Sequence, residues 1–284
     1  MSSRSIKRSF MRFVLFIAVL VGLTGCDDGK VADASMWQIC DTYADICEST
    51  HSGALCSIPR SDVIRDLARQ REQLSSIHTY KALKSLDKYK GCLEDAHISE
   101  AVRNKDDKQS QITTIRKIPE IQKALISSTQ RMIRPEVNLW LWTYSQNQDY
   151  WESMVNGFES ADEVHVDVYV ALMTQTAKRD MPKALEYARL ALQKAKVIAD
   201  IQPTVYEFYV GYYLDKNELE KAAIWQGLYS ALDSEKAKVN EAYFRLFEKM
   251  NSSQIRAAQE KVDELLFDAK WLNKDMGAFP RQLI

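Results

Sequence analysis

The chain has 284 residues, of which 46% are hydrophobic and 27% are charged, and its formal net charge at pH 7 is -1. This composition is typical of a globular chain long enough for one large domain or two small ones. The sequence has no basic arm and no nucleic-acid-binding motif, so nucleic acid is not expected as a partner. Only 9 glycines and 6 prolines are present, which favours a helix-rich fold with few turns.

The first 25 residues have the three-part build of a secretory signal. A basic start is followed by an apolar core from Phe13 to Leu23 and then by small residues. This core is too short to cross a bilayer, which needs about 20 apolar residues. We therefore expect residues 1–25 to be a removable signal peptide and not a permanent membrane span.

The end of this segment, Leu23, Thr24, Gly25 and Cys26, resembles the lipobox of bacterial lipoproteins. The resemblance implies that Cys26 becomes the first residue of the mature chain and carries covalent lipid. Two or more acyl chains anchor a protein stably, whereas a single chain binds only reversibly. The alternative is an ordinary signal peptide that happens to contain a cysteine.

Asp27 resembles the signal that retains enterobacterial-type lipoproteins in the inner membrane. The expected location is the cell membrane, lipid-anchored on its periplasmic face, with the inner membrane favoured and the outer membrane as the alternative. Residues 26–35 have no apolar pattern and are predicted to be a lipidated tether. The bilayer is thus one expected partner, and apart from the lipid on Cys26 no cofactor is expected.

Four further cysteines, Cys40, Cys47, Cys56 and Cys92, predict two disulfides, because an even number in an exported chain is best explained by pairing. If residues 35–48 form one helix, Cys40 and Cys47 lie about 10 Å apart along its axis, and a disulfide spans at most about 7 Å. Two pairings remain: Cys47 with Cys56 and Cys40 with Cys92, or Cys40 with Cys56 and Cys47 with Cys92. The short loop after Cys47 slightly favours the first. Without a close CxxC pair a zinc site is disfavoured, and no metal is expected.

Apolar residues at intervals of three and four predict helices throughout residues 36–118, which form a Cys-rich helical region. Pro119 and Pro135 each lie where a further helix would begin, so we place the boundary between the halves within residues 104–135, at 118–119. Residues 60–134 carry more basic than acidic side chains and could face anionic head groups near the tether. Charged faces of ordinary amphipathic helices are the simpler interpretation.

Residues 119–284 contain an internal repeat with a period of 38 residues, in which Lys183, Ala184, Tyr187 and Leu190 recur as Lys221, Ala222, Trp225 and Leu228. Two helices per unit at such a period are the signature of an α-solenoid. The segment from Asp180 to Leu192 resembles the second helix of a tetratricopeptide repeat. The predicted fold class is therefore all-α: a disulfide-tied helical N-terminal cap followed by a tetratricopeptide-like α-solenoid.

The lipobox, the cysteine-rich cap and the repeat-like half together resemble a family of uncharacterised lipoproteins of gammaproteobacteria. The resemblance depends on Cys40, Asp41, Tyr43, Cys47 and the stretch before Cys56. It implies a fold and a location, and it implies no activity.

No catalytic residues are predicted. The four histidines are scattered, and the sequence lacks a nucleophile elbow, a glycine-rich phosphate loop and an HExxH motif. Dense aromatic clusters are the best candidates for a binding surface, because neighbouring positions on a helix point in different directions and exceed what one face can bury. We expect some of them to line a groove, with burial inside the helix stack as the alternative; the candidates are Trp140, Trp142, Tyr206, Tyr209 and Tyr213.

These observations predict a membrane-anchored bacterial envelope lipoprotein, not an enzyme, that acts as an adaptor for an unidentified envelope protein or peptide. One alternative is an envelope hydrolase acting on peptidoglycan or lipid, whose paired carboxylates could be distant in sequence. The other is a structural spacer.

Overall fold

The structure is a computed structural model that describes residues 31–51, 53–98, 105–194, 201–232 and 248–272. Within these ranges every regular element is a helix, which confirms the all-α prediction. None of these helices is long and apolar enough to cross a bilayer. The chain divides into two compact units, residues 1–132 and 133–284. Cys26 and Asp27 lie outside the described residues.

The first unit is a helical bundle whose core lies between its three long helices. Its elements are α1 (Met36–Thr42), α2 (Ala44–Glu48), a 3-10 turn (Ala54–Cys56), α3 (Ser57–Glu72), α4 (Ser76–Ile98) and α5 (Lys105–Ser128). Helix α4 packs along both α3 and α5. Tyr89 of α4 is buried, and its hydroxyl donates to the carbonyl of His51 at 3.0 Å. Burial raises the pKa of Tyr89 to about 12.

The predicted helix over residues 35–48 is broken at Tyr43. Tyr43 has φ -124° and ψ 57°, so α1 ends before it and α2 begins after it. The change of direction brings the Cα atoms of Cys40 and Cys47 to 5.6 Å, and the two cysteines form a disulfide. The elimination of this pair was therefore wrong, because it assumed a continuous helix.

The second disulfide joins Cys56 to Cys92, with the Cα atoms 5.9 Å apart. It connects the start of α3 to the last turns of α4. The prediction that the four cysteines form two disulfides is confirmed. Both pairings left open by the sequence are wrong: Cys56 bonds to Cys92, and not to Cys47 or Cys40.

Pro119, where the sequence predicts the start of a helix, lies inside α5. A proline cannot donate to the carbonyl of Ile115 one turn earlier, yet the helix continues with Ile118 and Leu125 buried. Packing of this face thus outweighs the lost hydrogen bond, and the expected boundary at residues 118–119 falls within α5. Pro135 does begin a helix.

The second unit is a series of antiparallel helical hairpins. Its helices are α6 (Pro135–Ser145), α7 (Gln148–Ser160), α8 (Val166–Thr176), α9 (Met181–Lys194), α10 (Pro203–Asp215), α11 (Leu219–Leu232) and α12 (Ser252–Leu272). Packing is most extensive between α6 and α7, α8 and α9, and α10 and α11, while α6 touches α8 and α10 touches both α8 and α9. Stacking of successive pairs in this way is the arrangement of an α-solenoid.

The repeat predicted from the sequence is visible in the helix boundaries. Met181–Lys194 and Leu219–Leu232 begin and end 38 residues apart. Ala184 and Ala222, at equivalent positions, are both fully buried and let the paired helices approach closely. One hydrophobic cluster continues from Leu139 in α6 to Leu265 in α12.

Candidate functional site

The three tyrosines predicted to line a groove lie in the core. Tyr206, Tyr209 and Tyr213 are spaced by three and four residues on one face of α10, and none is more than 3% exposed. The Tyr209 ring stacks on that of Trp225 of α11, with centroids 4.3 Å apart. The structure therefore shows the alternative, burial inside the helix stack, and the groove prediction is wrong for these side chains. Burial also raises the pKa of Tyr206 and Tyr209.

The two predicted tryptophans lie in α6. Trp140 is buried and its ring stacks on Tyr144, with centroids 5.1 Å apart. Trp142 is partly buried and packs at a tilt on Trp151 of α7, with centroids 4.8 Å apart. Tyr144, which is 68% exposed, presents an aromatic ring to solvent beside them. Trp142 thus supports the α6–α7 hairpin, whereas the ring contact of Trp140 with Tyr144 lies within α6.

The best candidate for a binding site is a cavity of about 340 Å³ between α11 and α12, which we call the α11–α12 cavity. Its volume lies at the lower end of the range of small-molecule pockets. Most of the residues that line it are apolar. The small ones are Ala223, Gly227 and Ala231 of α11 and Ala258 of α12, and the larger ones are Ile255, Val262 and Leu266 of α12. The cavity can therefore enclose an apolar side chain or a short segment.

The cavity exists because the two helices touch at a glycine. A Cβ atom on Gly227 would lie 2.6 Å from Cγ2 of Val262, so only glycine permits this approach without a shift. Ala223 and Ala231 lie one turn before and after Gly227, and their short side chains leave the adjoining space unfilled. The sequence of α11 thus determines both the contact and the cavity.

Gln226 places a buried amide in the wall of the cavity. It is 2% exposed, and its Nε2 donates weakly to Oγ of Ser230 at 3.4 Å. Its Oε1 has no hydrogen-bond partner in the described part of the chain. A buried acceptor left unpaired costs about 1–3 kcal/mol. Oε1 is closed to solvent in this conformation, so the Gln226 side chain must turn toward the cavity before a ligand's N–H or O–H group can pair with it and recover that loss.

The electrostatics of the cavity favour a neutral or cationic ligand. Asp263 is the one charged side chain among the described residues that line it. Its Oδ1 accepts a hydrogen bond from Nε2 of Gln259, one turn earlier on α12, at 3.2 Å. A ligand with an apolar body and a donor group therefore matches the site.

Sequence reasoning missed Gln226, because a single glutamine inside an apolar helix matches no motif. One signal was available: Gln226 interrupts the apolar run of α11 directly before Gly227. The predicted aromatic residues line a different part of the second unit. Within the described ranges, no group of three or more histidine, cysteine, aspartate or glutamate side chains is placed to hold a metal ion.

A family model described as "Protein of unknown function (DUF2989)" matches residues 23–227. No curated protein and no solved structure matches the chain. The match includes all four disulfide cysteines and ends at Gly227, inside α11. Helix α12, the second wall of the α11–α12 cavity, lies beyond the matched residues.

Proposed function

The chain belongs to this family of unknown function, and we propose that it is a membrane-anchored envelope lipoprotein that binds a protein or peptide partner in the α11–α12 cavity. The observation that carries the binding role is the buried Oε1 of Gln226, which has no partner among the described residues. The anchor is lipid on Cys26, supported by the lipobox-like residues before it.

Contacts of the tether support a position of the first unit close to the bilayer. Val31 is buried, and its backbone N–H donates to Oε2 of Glu72 at 3.2 Å. Arg65 of α3 donates through Nη1 to the carbonyl of Ala34 at 2.9 Å. The tether is therefore attached to α3 from residue 31 onward, and the remaining residues after Cys26 span roughly 18 Å when extended.

The chemistry of the α11–α12 cavity supports a peptide as the ligand. A peptide backbone supplies N–H donors, and a glutamine Oε1 is an acceptor for them. Its side chains supply the apolar groups that the alanine, valine and leucine walls would cover. A basic residue in the partner would find the Asp263 carboxylate at the same wall.

Replacing Gln226 by methionine is expected to reduce partner binding about tenfold without lowering stability. Methionine keeps the length of the side chain and removes the acceptor for the partner's donor, a loss of about 1.4 kcal/mol. The substitution gives up only the long Nε2 contact with Ser230 and also removes the unpaired Oε1, so its net effect on the fold should be close to neutral. Binding is measured as the yield of a photo-crosslink from benzoylphenylalanine at Ala231 in intact envelopes, and stability by thermal unfolding.

Ala257 provides the matched control for the crosslink, because it is an exposed alanine on α12 that does not line the cavity. The same photoreactive residue at Ala257 is expected to give no specific product. Equal crosslinking from Ala231 and Ala257 would contradict a site in the cavity. No product from either position would favour the structural spacer.

Replacing Cys26 by serine is expected to abolish lipid attachment. The thioether to the lipid needs a thiol, and serine has none. Cys26 is the cysteine that ends the lipobox-like segment. Incorporation of labelled palmitate into the immunoprecipitated protein measures the effect. Asp28→Ala, two residues away, is the control and should keep the label. Label that persists in Cys26→Ser at the level of the control would refute anchoring through this residue.

A further inference from the structure

A second, smaller cavity of about 200 Å³ lies in the first unit, and almost all of its walls are ionisable. It is lined by Ala32 of the tether, Asp66 and Arg69 of α3, and His78 and Lys81 of α4. We call it the basic cavity, because two permanent cations face one carboxylate and a histidine. Neither the lipid anchor nor the α11–α12 cavity gives it a role.

The basic side chains of this cavity are held in different ways. Nη1 of Arg69 lies 3.8 Å from Oδ1 of Asp66, one turn earlier on α3, a long and single contact. Nδ1 of His78 lies 3.1 Å from the carbonyl oxygen of Gln73 and donates to it, because a carbonyl can only accept. This bond fixes the imidazole ring at the cavity wall, while Arg69 keeps donors that its weak contact with Asp66 does not use.

Asp66 does not make the cavity acidic. Burial raises the pKa of the Asp66 carboxyl, the nearby Asp62 adds to that rise, and Ser85, Arg69 and Lys81 oppose it. Among the side chains that line the cavity, the two cations Arg69 and Lys81 outnumber the single carboxylate of Asp66, and the nearby Asp62 is not part of the wall. The cavity therefore attracts a small anion.

We propose that the basic cavity binds a phosphate-bearing anion, either a phospholipid head group or free phosphate. Arginine presents a planar fork of donors that matches two phosphate oxygens, and lysine adds a compact positive charge. A bidentate contact of this kind can replace the long contact between Arg69 and Asp66. Lys81 is exposed and the Arg69 side chain is 39% exposed, so phosphate binding should weaken as the salt concentration rises.

The position of Ala32 in the wall is what makes a head group a candidate source of the phosphate. Ala32 follows Cys26 by six residues, at most roughly 21 Å of extended chain. A lipid on Cys26 would therefore hold the basic cavity within reach of the head groups. Binding of free phosphate does not depend on that anchor, so the two sources can be separated by experiment.

The test uses the histidine ring signals in carbon–proton NMR spectra of the full-length lipidated protein. Inorganic phosphate is titrated into the protein in dodecylmaltoside micelles. In a second arm, the protein is placed in nanodiscs of phosphatidylcholine alone or with phosphatidylglycerol added. The signal of His78 is expected to shift on phosphate binding, whereas His97 and His165, which do not line the cavity, should not.

Lys81→Ala removes one of the two permanent cations and is expected to weaken phosphate binding about tenfold, the loss of one charge-assisted contact. Lys123→Ala is the control, since Lys123 is an exposed lysine of α5 that does not line the cavity. It removes the same charge from the same unit and should leave the titration unchanged. A circular dichroism spectrum of each variant verifies that the helices are intact.

A His78 shift with inorganic phosphate, with the His78 signal in both nanodiscs at its position in phosphate-free micelles, would identify free phosphate as the ligand. A shift that appears only with phosphatidylglycerol would identify the head group. No shift of His78 in either arm would overturn the proposal. If Lys81→Ala and Lys123→Ala weakened phosphate binding equally, the proposal would also be overturned, because the weakening would then come from the lower net charge of the protein and not from the cavity.

Discussion

Replacing Trp225 with alanine is expected to lower the free energy of unfolding of the second unit by about 3–5 kcal/mol. Trp225 is 0% exposed and is the largest fully buried side chain in the described residues. Its ring stacks on Tyr209 and meets Tyr206 edge-on, with centroids 5.9 Å apart. The substitution would leave a cavity between α10 and α11 that neighbouring aromatic rings cannot fill.

Two further variants test that explanation, with unfolding followed by circular dichroism in urea. Trp225→Phe keeps a ring in the stack and removes a buried indole N–H that has no partner in the described part of the chain. It should therefore cost less than half as much as alanine. Tyr144→Ala, at an exposed ring, should change stability by no more than about 0.5 kcal/mol. A loss below about 1 kcal/mol for Trp225→Ala would show that this stack is not the core.

Removing the Cys56–Cys92 disulfide by serine substitution of both cysteines is expected to destabilise the first unit by about 4 kcal/mol. The bond closes a loop with a sequence separation of 36, whereas the Cys40–Cys47 bond closes one of 7. The short loop restricts the unfolded chain less, and its removal should cost about 2.5 kcal/mol. Urea unfolding of the two double-serine variants gives both values on one scale.

Peptide mapping without reduction checks the connectivity on which this comparison depends. A peptide that joins Cys40 to Cys47 and another that joins Cys56 to Cys92 are expected. Recovery of a peptide that links Cys47 to Cys56 would contradict the structure. Equal destabilisation by the two double substitutions, with the connectivity confirmed, would mean that residual structure in the unfolded chain offsets the difference in loop length.

The helical repeat could be predicted from the sequence because it depends on local spacing. Residues that recur every 38 positions, such as Ala184 and Ala222, belong to helices with the same relative boundaries. Apolar residues at intervals of three and four likewise indicate a buried helix face. These signals gave the all-α class and the solenoid half without any long-range information.

The disulfide pairing and the candidate binding site could not be predicted, because both depend on contacts that local spacing does not contain. The break at Tyr43 interrupts an otherwise regular helical pattern, and it alone makes the Cys40–Cys47 bond geometrically accessible. The tyrosines of α10 are buried because α11 supplies a facing aromatic surface. The proposed role of Gln226 depends on the cavity that α12 completes, and α12 is distant from Gln226 along the chain.

The attachment of the tether to α3 determines how the first unit bears mechanical load. Tension applied from the N-terminal side meets the contacts of Val31 with Glu72 and of Ala34 with Arg65 before it reaches α1. Both contacts are made to α3, which packs along α4 and is joined to it through the Cys56–Cys92 bond. Under such tension, force would pass into the two long helices, and the short helices α1 and α2 would be shielded from being pulled open.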